Sequence, residues 1–216
     1  LLSAMSACRS APHAPEDAVR SATSEDAQSM RAQLVRQMIA QKKYYAAMAH
    51  LDALERDTGT QPQLQLLRAD CLRALGDVDQ ARPLYQQLLD GPYAADAAHG
   101  MGLLLAGVNL ESAITYLQRA VYLQPANAPV RNDLGYAMIM AGYYDRAHAQ
   151  LATAMELAPD DKRPVRNLVL LYYIVGDKTQ AEHLAQSGGL SAAQRQKLRL
   201  RAAQLTGESR SAMTHH

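Results

Sequence analysis

A chain of 216 residues with 22 basic and 21 acidic side chains carries a formal charge of +1, which excludes the broadly cationic surface that binding nucleic acid through its phosphates requires. Its 48% hydrophobic and 20% charged content excludes wholesale disorder, and its length suits one domain or one short repeat array. The aromatic residues are 11 tyrosines with no Trp or Phe, and Ala and Leu make up about a third of the chain, a composition that favours helix and argues against a β-sandwich or barrel.

Residues Leu1 to Ala7 are apolar and small, and read as the end of an export signal with its cleavage site. Met5-Ser6-Ala7-Cys8 resembles the bacterial lipobox, with Met5 where Leu is usual. That resemblance implies cleavage before Cys8 and acylation of Cys8, whose acyl chains would hold the protein on a membrane. Residues 8–27 fit a flexible tether, because Ser, Ala, Pro and charge follow without periodicity and Pro12 and Pro15 oppose helix. A soluble chain with an accidental Cys8 is the other reading. The only other cysteine, Cys71, lies in the apolar helical pattern Leu66-Leu67-Arg68-Ala69-Asp70-Cys71-Leu72 and is expected to be a small core hydrophobe. No apolar run is long enough to cross a membrane as a helix.

From residue 28 onward the sequence repeats itself. Gly76-Asp77-Val78-Asp79-Gln80-Ala81, Gly142-Tyr143-Tyr144-Asp145-Arg146-Ala147 and Gly176-Asp177-Lys178-Thr179-Gln180-Ala181 share one pattern, and Gly107 to Ala113 is a version with one extra residue. Gly76, Gly107, Gly142 and Gly176 are 31, 35 and 34 residues apart, and Pro125 and Pro159 are 34 apart. Each Gly is predicted to end one helix in the left-handed conformation, a short polar turn follows, and a second helix places a small Ala against the first. Tyr144, Ala147, Leu151 and Ala154 form such a buried stripe.

With Leu134-Gly135, Ala147, Leu151, Ala154 and Pro159 in place, the pattern resembles the tetratricopeptide repeat (TPR) family, with Arg131 where Trp is usual and Met138 where Tyr is usual. The resemblance implies an all-α fold, an α-solenoid of about five helix-turn-helix units over 28–61, 62–92, 93–127, 128–161 and 162–189. Leu34, Met38, Tyr44, Ala47, Leu51 and Leu54 fall at family positions in the first unit, and Ala69, Leu72, Gly76, Ala81, Tyr85 and Leu88 in the second. Ser191 is expected to cap a final helix over 191–205 that buries Leu198 and Leu205 and wets its other side. Residues 206–216 read as a disordered tail, with His215-His216 native or left by a tag.

The chain shows no phosphate-binding loop, nucleophile elbow or His-Glu-x-x-His, and its internal histidines are scattered, so no enzyme activity, metal or cofactor is expected. Asp160-Asp161 reads as a helix cap, and Asp77, Asp79, Asp177 and Lys42-Lys43 as solvated turn charges. What the family resemblance implies instead is a groove lined by the first helix of each unit. At its groove positions stand Met101 and Leu105 in the third unit, Asn132, Asp133, Tyr136 and Ile139 in the fourth, and Arg166, Asn167, Leu170 and Tyr173 in the fifth. The amides, Tyr and Arg166 suit a protein or peptide partner. For the apolar members, packing between units is the alternative role.

The small array behind a candidate lipobox, with Asn132-Asp133-Leu134-Gly135-Tyr136, then Asn167 to Asp177, Ala181-Glu182-His183-Leu184-Ala185 and Leu190-Ser191, is similar to the TadD family of Flp/Tad pilus-assembly lipoproteins. That resemblance implies a non-enzymatic adaptor, lipid-anchored on the periplasmic face of the bacterial outer membrane. It would help the pilus secretin, or another pilus assembly component, to assemble or localise. A type IV pilus pilotin or a regulator of cell-wall enzymes would share the fold and the anchor.

Overall fold

The structure, a computed structural model, describes residues 29–213. The expected signal remnant, Cys8, the tether and His215-His216 lie outside the described residues. Those residues form eleven α-helices and no strand. In chain order they are α1 (29–40), α2 (Tyr44–Thr58), α3 (Pro62–Leu75), α4 (Val78–Leu88), α5 (Ala94–Leu105), α6 (Leu110–Leu123), α7 (Ala128–Met140), α8 (Tyr144–Leu157), α9 (Lys162–Val175), α10 (Lys178–Ser187) and α11 (Ala192–Met213). The first ten form five antiparallel pairs in which neighbouring helices pack in sequence order.

Short polar residues start the helices. The side chains of Asp77, Asn109, Asn127, Asp161 and Asp177 accept hydrogen bonds from the backbone N–H of Gln80, Ser112, Val130, Arg163 and Gln180, each satisfying a donor that its helix cannot. Asp161 is thus the expected cap. Asp77 and Asp177 are caps too, which corrects their reading as solvated turn charges.

The turns inside the pairs are tight. Gly76, Gly142 and Gly176 sit at φ 85°, 78° and 87°. Gly107 does not adopt that conformation, because α5 ends at Leu105 and the longer turn 106–108 reaches Asn109 without it. In the first pair Lys42 occupies the left-handed region at φ 60°. A side chain there is strained against its own backbone, so Lys42→Gly is expected to stabilise the chain by about 0.5–1 kcal/mol in urea unfolding.

Each second helix lays a small residue against its partner: Ala47, Ala81, Ala113, Ala147 and Ala181 are all 0% exposed. The first helices answer with glycine. A Cβ on Gly102 would lie 2.6 Å from Leu117, and one on Gly135 would lie 2.5 Å from Leu151, so α5/α6 and α7/α8 approach as closely as these positions allow. Arg131, in the place of the family Trp, ties α7 outward instead: it donates to the Pro125 carbonyl at 2.6 Å and to Gln150 Oε1 at 2.7 Å. In α1 the core is made by Ala32 and Val35, while Leu34, at a family position, is 43% exposed. Cys71 is wholly buried, and burial pushes its thiol up to about 11, so it behaves as an apolar side chain.

The terminal helix α11 opens with a reciprocal cap, in which Ser191 Oγ accepts from the Gln194 N–H at 3.2 Å and Gln194 Oε1 accepts from the Ser191 N–H at 2.8 Å. It buries Ala202 and half-buries Leu198, and leaves Leu200 exposed. The helix continues to Met213, past the expected end at Leu205, so 206–213 is helical and not an irregular tail. Gly207 alone does not stop it, since one glycine costs only about 1 kcal/mol in a helix interior.

Glu182 on α10 fastens this helix, pairing with Arg199 and Arg195 and accepting from the Tyr173 hydroxyl. The bonds from Tyr173 and Arg199 hold the Glu182 carboxyl below its ordinary 4.5. Because the folded value is the lower one, this contribution is present above pH 4.5 and is lost as pH falls through the folded value. Amide protection factors across Leu198 to Ala202 are therefore expected to drop between about pH 6 and about pH 3, before those of α7 and α8.

Candidate partner-binding groove

One face of the solenoid is built by the first helices α1, α3, α5, α7 and α9, and two hollows open along it. The first, about 360 Å³, lies between α1, α3 and α5; Leu66, Leu67, Ile39 and Leu103 are among its apolar walls. Beneath it Tyr85 of α4 is wholly buried. Its hydroxyl donates to Asp70 Oδ1 at 2.6 Å and accepts from Arg73 Nε at 3.1 Å, and the Arg73 guanidinium stands 3.6 Å from the same carboxylate. Burial raises the Asp70 carboxyl above the ordinary aspartate value, and Tyr85, Arg73 and the nearby His99 offset only part of it. Burial likewise raises the Tyr85 phenol.

The second hollow, about 260 Å³, lies between α7 and α9 and is lined by Asn132, Asp133, Tyr136, Arg163, Arg166 and Asn167. A chain of hydrogen bonds joins the two. His99 Nε2 on α5 lies 2.8 Å from Asp133 Oδ2 on α7. Asp133 Oδ1 accepts from Asn132 Nδ2 at 3.1 Å, and Asn132 Oδ1 accepts from Asn167 Nδ2 of α9 at 2.9 Å. Asn132 is 4% exposed, and its amide donates one hydrogen bond and accepts one. Asn167 is half-buried and keeps its amide oxygen and one N–H for a ligand. Arg163 is held by Asp161 at 2.7 Å, and the hydrogen bond from Arg163 lowers the Asp161 carboxyl below its ordinary value. Arg166 makes no hydrogen bond among the described residues and faces the same hollow.

Of the residues expected in the groove, Asn132, Asp133, Tyr136, Arg166 and Asn167 are brought together here. The others are not. Met101, Leu105, Ile139 and Leu170 are 1%, 6%, 3% and 3% exposed; they are core and offer a partner no surface. Met101 and Leu105 fail by register. Gly102 meets Leu117 and the Ala113 carbonyl as Gly135 meets Leu151 and the Ala147 carbonyl, so Leu103, two residues past Met101, is the counterpart of Tyr136, and two residues turn a helix by about 200°. Ile139 is in the core shared by α6, α7, α8 and α9. Tyr173 leaves the groove for the α11 contact, where burial and its bond to Glu182 raise its phenol. The residues passed over are Asp70, Arg73, Asp96, His99 and Leu103. His99 stands 33 residues before Asn132, the offset that also relates Gly102 to Gly135, and that was the signal available for it.

The tetratricopeptide repeat family matches residues 103–171, the stretch that holds α6, α7, α8 and most of α9. Residues 103–171 are thus identified as tetratricopeptide repeats. The chain is 35% identical over 160 residues to the TPR repeat-containing protein PA4299 of Pseudomonas aeruginosa, an alignment that covers 74% of this chain and 64% of that protein. The chain therefore spans less than two thirds of the length of this curated relative. Among solved structures it is similar to the crystal structure of TTC0263, a thermophilic TPR protein of Thermus thermophilus, with TM-score 0.65, 22% identity and coverage of 82% of this chain and 98% of that one. It is also similar to the pilF protein of Pseudomonas aeruginosa, with TM-score 0.66, 18% identity and coverage of 88% and 89%. At such identities these two likenesses concern the fold. Arrays of such repeats stack into solenoids whose curved faces are extended binding surfaces. Among the described residues no cluster of His, Cys, Asp or Glu could hold a metal ion, and no helix is long and apolar enough to cross a membrane.

Proposed function

We propose that the chain is a lipid-anchored adaptor at the periplasmic face of a bacterial outer membrane, which holds an extended segment of the Flp/Tad pilus secretin in the first-helix groove and so assists its assembly or localisation. The observation that carries the binding mode is the bonded series His99, Asp133, Asn132, Asn167, which crosses α5, α7 and α9 in an open hollow. Asn132 spends both ends of its amide on holding Asn167 and Asp133, so Asn167 is presented in one orientation with an acceptor and a donor to spare. An extended backbone offers the complementary pair. Tyr136, 37% exposed, and the guanidinium of Arg166 stand beside it for side chains. The secretin, the anchor and the location rest on the resemblance carried by Met5 to Cys8 and by 132–147 and 167–191.

The test is affinity capture of the lipidated protein from detergent-solubilised native envelopes, with a control carrying Asn132→Ala, Tyr136→Ala and Asn167→Ala. Recovery of the pilus secretin by the native protein and its loss from the control is the expected result. Recovery of a cell-wall enzyme or a different secretion system would remove the pilus assignment. Equal recovery of the secretin by both proteins would place its binding on another face. The intact mass of the envelope-derived protein tests the anchor, since an unacylated Cys8 with its leader attached is incompatible with it.

A further inference from the structure

We propose that the hollow between α1, α3 and α5 is the anchor subsite of the groove: it receives one large apolar side chain of the bound segment, with a cationic residue beside it on the α5 side. This rests on the reading of the first-helix face as a peptide groove and adds to it what the peptide must contain.

The shape comes first. The hollow has an apolar floor in Leu66 and Leu67 of α3, which are 9% and 5% exposed, with Ile39 and Leu103 as its sides. Its volume of about 360 Å³ exceeds that of any one side chain, so a large residue enters without displacing the walls. The depth is built in. Gly100 forms part of the lining, and a Cβ there would lie 2.2 Å from the ring of Tyr85, which is itself held by Asp70 and Arg73. The α5 wall stays low because the position beneath it is already occupied.

The charges decide the flanks. Arg73 is spent on Asp70 and Tyr85, and His99 on Asp133. Two charged side chains that line the hollow remain without a hydrogen bond or ion pair among the described residues: Asp96, exposed on the α5 wall, and Arg36, exposed on the α1 wall. They have opposite signs and stand on opposite sides. A segment with Lys or Arg toward α5 and an acidic residue toward α1 meets both, and the reverse order meets neither. In an extended chain such flanks lie roughly two residues from the anchor on the same face.

The two hollows adjoin across one bonded pair. His99 lines the first and is bonded to Asp133, which lines the second. Three steps of about 8–10 Å separate α3 from α9, and at about 3.3 Å per extended residue the anchor lies about seven to nine residues from the residue seated on Asn167.

The probe is a phage-displayed library of random dodecapeptides selected on the full chain. Enriched peptides are expected to share one large apolar residue with Lys or Arg within two positions. Leu103→Trp and Ile39→Trp, which fill the hollow, are expected to weaken those peptides at least about tenfold, and Asp96→Lys, at an exposed position, to reverse the preferred sign of the flank. Asn132→Ala with Asn167→Ala reports on the groove itself. Peptides that lose binding to the Asn variants, yet bind both Trp variants and Asp96→Lys unchanged, would overturn the anchor subsite and leave the groove reading standing. Peptides indifferent to every one of these substitutions, or no enrichment over background, would overturn both.

Discussion

Gly100→Ala is expected to destabilise the chain by about 3 kcal/mol, at the upper end of what one added methyl costs in a packed core. The added Cβ would stand 2.2, 2.4 and 2.9 Å from Cε1, Cζ and Cδ1 of Tyr85. A ring at that distance has to move, and this ring has nowhere to go: it is 0% exposed and tethered at its hydroxyl to Asp70 and Arg73. Displacing it also takes a hydrogen bond from a carboxylate whose burial is already incompletely offset. Urea unfolding of Gly100→Ala in the native background and in Tyr85→Leu checks the cause. With the ring gone, Gly100→Ala should cost less than about 1 kcal/mol. An equal cost in both backgrounds would show that something other than Tyr85 limits this position.

The Gly100 contact also marks where the sequence could be read and where it could not. The helix pairs were legible because their signals are local. Gly76, Gly142 and Gly176 need a left-handed turn, and Ala47, Ala81, Ala113, Ala147 and Ala181 recur where two helices touch. The caps Asp77 and Asp177 carried the same kind of local signal, a short acid three residues ahead of a helical N–H, and were passed over as turn charges. The groove was legible only in part. Asn132, Tyr136, Arg166 and Asn167 lie in units whose start is marked by Asn127 and Asp161 caps, so their register is secure. The third unit begins after an uncapped Tyr93, and its first helix was set two residues out of register. That step carried Met101 and Leu105 into the groove on paper and left out His99 and Leu103. The triad of Asp70, Arg73 and Tyr85 is a different case. It joins α3 to α4 through side-chain geometry that no periodicity encodes, and the sequence marks Tyr85 only as a residue at a family position. Similarly, Tyr173 satisfies the groove pattern, and only the packing of α11 on α9 shows that the pattern is overruled.

Asn132→Leu is expected to abolish most of the groove's affinity for an extended peptide while leaving the helices in place. Leucine has the branching and heavy-atom number of the native side chain and sits where 4% exposure favours an apolar residue, and the open hollow beside it takes up its greater bulk, so the packing of α7 survives. What disappears are the two hydrogen bonds that Asn132 makes, one to Asp133 and one from Asn167. Asp133 keeps His99, but Asn167 keeps nothing and loses its fixed orientation. The stability cost is about 1–3 kcal/mol, from polar groups left without partners. The loss of affinity should be at least tenfold, about 1.4 kcal/mol, because a ligand must then order Asn167 itself. Asn167→Leu removes the presented amide directly and should weaken binding by at least as much. If Asn132 acts through Asn167, the double variant should be little worse than Asn167→Leu alone, a non-additivity readable by calorimetric titration of a groove-selected peptide into all four proteins. Fully additive losses would mean that Asn132 reaches the ligand on its own, through the amide hydrogen its two bonds leave unused, and would overturn its role through Asn167.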